Sequence, residues 1–92
     1  MRTFKSMSEI KAANRQAGHC FFSRKTMNFH GSRIEGGVLR GRYFVTSENQ
    51  LHGPRRFSLR KAEDDGSIRT IGKHAGYFDR QDAKEALAEL LK

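Results

Sequence analysis

Tryptophan is absent from this chain of 92 residues, cysteine and proline occur once each, and acids number ten against eighteen lysines and arginines. Each scarcity excludes something. A lone Cys20 cannot build an internal disulfide framework, which fits a reducing cytoplasm better than secretion. No segment approaches the ~18 consecutive apolar residues of a membrane span. The stretch from Met1 to Lys11 is basic but carries no apolar run, so no signal peptide is expected. Neither terminal helix pattern is strongly basic, and Met1-Arg2 offers no myristoylation site, so a membrane partner is not expected either. At this length the chain is expected to form one compact basic domain over residues 1–92, cytoplasmic, and a monomer or weak dimer. A domain this small buries only roughly 60–65% of its unfolded surface, so its core is modest.

What is abundant is positive charge. Between Arg24 and Lys61 lie nine cations (Arg24, Lys25, Arg33, Arg40, Arg42, Arg55, Arg56, Arg60 and Lys61) against Glu35 and Glu48. This run supplies nearly all of the chain's formal +8. Phe29, Tyr43, Phe44 and Phe57 are interleaved with it. Buried cations are costly, so most are expected to face water and to attract phosphate. The partner class this implies is nucleic acid or a nucleoprotein.

The periodicity predicts helix, three or four antiparallel strands, then helix. Ser6 followed by Glu9 is a capping box, and Met7, Ile10, Ala13 and Ala17 recur at helical spacing before Gly18. Asp79 is a good N-cap for a closing helix whose apolar stripe is Ala83, Ala86, Leu87, Leu90 and Leu91. Between them Cys20-Phe21-Phe22, Arg42 to Thr46, Arg56 to Lys61 and Ser67 to Ile71 read as strands, with a turn at Asp65-Gly66. Gly36-Gly37 with Gly41 reads as a bend, and His52-Gly53-Pro54 as a turn. Phe57 and Leu59 alternate with Arg56, Ser58 and Arg60. An α+β fold follows, with both helices on the Phe57/Leu59 face. The opposite face is left open and basic, with Arg42, Phe44, Arg56 and Arg60 exposed.

Several local motifs bear on chemistry. Arg40-Gly41-Arg42-Tyr43-Phe44-Val45-Thr46-Ser47 resembles the RNA-binding strand of RNA-recognition modules, but Arg42 and Ser47 stand where aromatics belong. The helix–strands–helix order and Gly53-Pro54-Arg55-Arg56-Phe57 resemble double-stranded RNA-binding domains, yet Asp79-Arg80-Gln81-Asp82 is acidic where that family is basic. Arg40, Arg42, Arg55 and Arg56 are alternatively simple phosphate clamps, or they pair with Glu35, Glu48 and the Glu63-Asp64-Asp65 cluster. His19, His30, His52, His74 and Cys20 show no metal-ligand spacing, and no P-loop or apolar carboxylate pair is present. No metal, cofactor or enzymatic activity is expected.

Four blocks carry a wider likeness. They are Lys11-Ala12-Ala13-Asn14 in the first helix, His19-Cys20-Phe21-Phe22-Ser23-Arg24-Lys25-Thr26-Met27-Asn28-Phe29-His30-Gly31-Ser32-Arg33-Ile34, Gly41-Arg42-Tyr43-Phe44-Val45-Thr46-Ser47-Glu48 and Gly53-Pro54-Arg55-Arg56-Phe57. In these the chain resembles a group of short, largely uncharacterised proteins of phages and other mobile elements. The resemblance implies a setting rather than a chemistry: antagonism of host defence, as in small non-enzymatic anti-CRISPR proteins. A basic chain would act there by contacting guide RNA, DNA or an acidic surface of the effector. The expected contact residues are Arg24, Lys25, Arg33, Arg40, Arg42, Phe44, Arg55, Arg56 and Arg60. A free-standing DNA- or RNA-binding protein is the alternative.

Overall fold

Seven elements follow one another in the computed structural model: α1 (Met7–Gln16), α2 (Arg24–His30), β1 (Arg33–Arg40), β2 (Tyr43–Glu48), β3 (Arg56–Ala62), β4 (Ile68–Ile71) and α3 (Arg80–Leu90). The structure describes residues 3–50 and 53–91, with side chains throughout except at 30 and 36–40. His52 of the expected turn therefore lies outside the described residues, as do the side chains of His30 and Arg40.

The four strands form one antiparallel sheet in the order β1-β2-β3-β4. The expected α+β arrangement of an N-terminal helix, this sheet and a C-terminal helix is what the chain adopts. Ser6 caps α1 by accepting the Glu9 N–H at 3.4 Å, and the Glu9 carboxylate accepts the N–H of Lys5. Asp79 caps α3 in the same way, accepting from Asp82 N–H at 2.8 Å. At the β3–β4 turn Gly66 adopts φ +88, and a Cβ there would lie 2.5 Å from the Ala13 carbonyl oxygen. Glycine is thus required twice over, for the left-handed backbone and for the close approach of α1. The buried Asn14 fastens that approach by donating its amide to Gly66 C=O at 2.8 Å.

The placement of the helices differs from the expectation. Adjacent residues of a strand face opposite ways, and Phe44 and Val45 in β2 are both fully buried. Phe44 joins Ala62, Phe4, Ile10 and Ala13 in a cluster beneath α1. Val45 joins Leu59, Ala83 and Leu87 in a second cluster beneath α3. The two helices therefore cover opposite faces, and β2 is sandwiched between them. Only one apolar stripe is evident in β3, because Ser58 and Arg60 fill the other face. Those two are buried, not solvated.

Two local readings also change. Cys20-Phe21-Phe22 is a turn leading into α2 rather than a strand. A strand would point the two rings apart, whereas the turn lets Phe21 and Phe22 pack edge to face at 4.8 Å against the same cluster. Ser23 then caps α2, accepting from Thr26 N–H at 3.2 Å, and Gly31 at φ +59 ends it. The Gly36-Gly37 pair lies inside β1 instead of forming a free bend, and the pairing with β2 shifts register between Glu35 and Arg40.

Candidate functional site

The expected basic sheet face is closed. Phe44 is 0% exposed and packs 6.0 Å from the Phe22 ring, so it offers no platform to a ligand. Arg42 is buried and forms an ion pair with Asp64 at 2.5 Å. Arg60 is buried between β2 and β4, donating from Nε to Thr46 Oγ1 at 2.9 Å and from Nη1 to Thr70 Oγ1, with its plane 5.3 Å from the Phe21 ring. These three leave the list of contact residues for one physical reason: α1 and the 20–22 turn cover the face on which they stand.

Arg55 and Arg56 are half-buried and also engaged. Arg55 ties three segments together, donating to Gly31 C=O at 2.7 Å, to Ser47 C=O at 2.6 Å, to Ser47 Oγ at 3.0 Å and to the Asn49 side chain. Arg56 stacks 4.3 Å over the ring of the exposed Phe78. Arg24, Lys25 and Arg33 remain exposed, with no ion pair to a described residue.

Two features were not anticipated. The first is a buried polar centre built around Glu48. Its Oε2 accepts from Thr46 Oγ1 at 2.7 Å and lies 3.3 Å from Arg60 Nη2, while Oε1 accepts from Ser58 Oγ at 2.7 Å. Ser58 Oγ in turn accepts the Ala75 N–H at 2.7 Å, holding Ala75 at φ +55, and His74 Nδ1 stands 3.4 Å from Arg60 Nη2. Burial alone would raise the Glu48 pKa. The hydroxyls of Ser58 and Thr46 and the Arg60 charge outweigh it and hold the carboxyl below its ordinary value. Held by Thr46, Ser58, Ser32 and Arg60, the Glu48 carboxylate is a lock between β2 and β3. In sequence, Thr46, Glu48, Ser58 and Arg60 sit at alternate positions of two strands, and that parity was the available signal.

The second is a separation of charge between layers. Residues 3–30, which contain α1 and α2, hold Lys5, Lys11, Arg15, Arg24 and Lys25 against the single acid Glu9. All five cations are exposed. On the opposite face, α3 with its cap carries Asp79, Asp82, Glu85 and Glu89 against Arg80 and Lys84. Arg33, opposite Ser47 in the β1–β2 ladder, stands on the α3 side of the sheet as well. The basic layer has relief as well as charge. A cavity of about 250 Å³ lies between α1 and the turn before α2, bordered by Lys11, Arg15, His19, Phe22 and Ser23. A cleft of about 390 Å³ is lined by Asn28, Phe29 and Gly31 at the end of α2 and by Glu48, Asn49, Gln50 and His74. Among the described residues no three His, Cys, Asp or Glu side chains converge as metal ligands would. No helix of the described chain is long and apolar enough to cross a membrane.

Residues 6–88 match the family of unknown function DUF7447, and the chain belongs to that family. Comparison with curated proteins and with solved structures gives no match.

Proposed function

We propose that this member of the family is a non-enzymatic binding protein whose α1–α2 layer engages nucleic acid, either free or held in a nucleoprotein. The observation that carries this reading is the segregation of charge: exposed Lys11, Arg15, Arg24 and Lys25 on one layer, and four acids around α3 on the other. A molecule so polarised meets a polyanion basic side first, because the field turns it during approach. Guanidinium and ammonium groups that make no ion pair with a described residue give up none of those contacts when they take a phosphate. The carboxylate of Glu48 is committed to Thr46, Ser58 and Arg60, which favours a structural role for it over general-base work.

The biological setting we propose is the host cytoplasm, with the protein an accessory of a phage or other mobile element that interferes with a nucleic-acid-bearing defence complex such as a CRISPR effector. The sequence blocks around Phe21-Phe22-Ser23-Arg24 and Arg42 to Ser47 support that setting. In such a complex the exposed guide or target strand is the natural ligand for a basic layer.

The test has two arms. Tagged protein is used to capture partners from host lysate with and without nuclease, and the purified chain is titrated with labelled RNA and DNA across a salt series. The expected results are nucleic-acid-dependent capture and a log K that falls by about 0.7–0.9 per phosphate neutralised. Arg24→Glu combined with Lys25→Glu should flatten that slope by about two phosphates' worth. Unchanged affinity in the double variant would remove the α1–α2 layer from the interface. A defined protein complex that survives nuclease would point to the effector itself as the partner.

A further inference from the structure

We propose that the cleft beside α2 receives an unstacked nucleobase, so that the preferred partner is single-stranded rather than duplex nucleic acid. This rests on the basic-layer reading above and specifies the ligand of that layer. Phe29 is 83% exposed, the most exposed of the large apolar side chains described, and it belongs to neither core cluster. It is placed one helical turn beyond Lys25, and Asn28 one turn beyond Arg24. Residues four apart on a helix share a face, with Cβ atoms about 5–6 Å apart. The face of α2 that carries an aromatic ring and an amide therefore also carries two cations. That is the pairing a nucleotide presents, an apolar aromatic plane attached to a phosphate.

The far wall of the cleft is polar and held in place. The Asn49 side-chain oxygen accepts from Arg55, leaving its amide N–H groups as donors, and Gly31 is required opposite because a Cβ there would collide with the Asn49 amide. Gln50 donates to Glu48 C=O at 3.4 Å, leaving its own carbonyl as an acceptor. Donors and acceptors of this kind read base edges once a base is out of its stack. A duplex keeps its bases stacked and offers Phe29 only sugar and phosphate. Stacking on one ring tolerates every base, so little sequence preference is expected from this contact alone.

The experiment is fluorescence anisotropy with a labelled 20-nucleotide single strand of mixed sequence, as DNA and as RNA, and with the corresponding duplex at one fixed salt concentration. The wild type should favour the single strand. Phe29→Ala should weaken single-strand binding by about 5- to 150-fold, the range for one base stacked on one ring. It should leave duplex affinity and thermal stability unchanged. Phe29→Tyr should bind as the wild type and Phe29→Leu as the alanine variant. Wild-type single-strand binding by Phe29→Ala would overturn the base cleft, and so would full rescue by Phe29→Leu, which would indicate an apolar contact with a protein. If Phe29→Ala is neutral while Arg24→Glu with Lys25→Glu weakens both ligands, the cleft falls and the basic layer stands. If the wild type binds neither strand form, both fall together.

Discussion

Glu48 at the end of β2 and Arg60 in the middle of β3 form an ion pair at 3.3 Å inside the sheet, with side-chain exposures of 2% and 8%. Desolvating two charges is expensive, and the arrangement holds because Thr46, Ser58 and Thr70 satisfy the remaining lone pairs and protons. Removing one partner strands the other in a low-dielectric site. Glu48→Leu and Arg60→Met should each destabilise the fold by about 3–5 kcal/mol. The double variant should cost clearly less than their sum. Urea unfolding of the four proteins checks this, and additive losses would mean that the two charges are not coupled.

The same carboxylate makes stability depend on acid. Glu48 titrates below its ordinary 4.5 in the folded chain, so the unfolded chain takes up a proton first as pH drops. Its contribution is complete above that ordinary value and is lost as pH falls through the lowered one. The loss approaches about 1.4 kcal/mol per pH unit while only the unfolded state is protonated. Glu48→Gln should be less stable at neutral pH and show a shallower acid limb below the ordinary carboxylate range in stability measurements. A limb as steep as the wild type's would assign the acid sensitivity to other carboxylates.

Phe44 and Phe29 have opposite fates that composition does not distinguish. Phe44→Ala removes a fully buried ring and should cost about 3–5 kcal/mol. Phe29→Ala, on an exposed helix face, should change stability by no more than about 0.5 kcal/mol. Thermal or denaturant melts of the two variants check both values. A small effect at Phe44 would mean that the layer formed by α1 and the 20–22 turn is not closed over the sheet.

The local signals in the sequence were sound where a single side chain decides the outcome. Ser6, Asp79 and the Asp65-Gly66 turn each act through one hydrogen bond or one left-handed residue, and each is where it was expected. The strands through Tyr43 and Phe57 were legible because β-formers cluster there. The strand through Gly36-Gly37 was not, because glycine removes both the propensity and the alternation. The largest departure concerned Arg42, Arg60 and Phe44. Placing cations in water is the right default, and it fails here because Asp64, Glu48 and two threonine hydroxyls supply partners that only the strand register brings together. Of the expected contact residues, Arg24, Lys25 and Arg33 stay on the surface. Phe29 and Asn49 belong to a cleft that no linear motif encodes, since it is assembled from a helix face and the segment following β2.

The strand order β1-β2-β3-β4 bears on how quickly the chain reaches this structure. Every ladder joins neighbours along the chain, and Gly41-Arg42 alone connects the first pair. Such a meander closes short loops first and needs no distant segment to find its edge, which keeps contact order low and puts folding toward the faster end for proteins containing a sheet. The long closure is the docking of α1, whose Asn14 reaches Gly66 across 52 positions. That hydrogen bond has its acceptor in a hairpin turn, so the first helix of the chain is the element with most reason to arrive last.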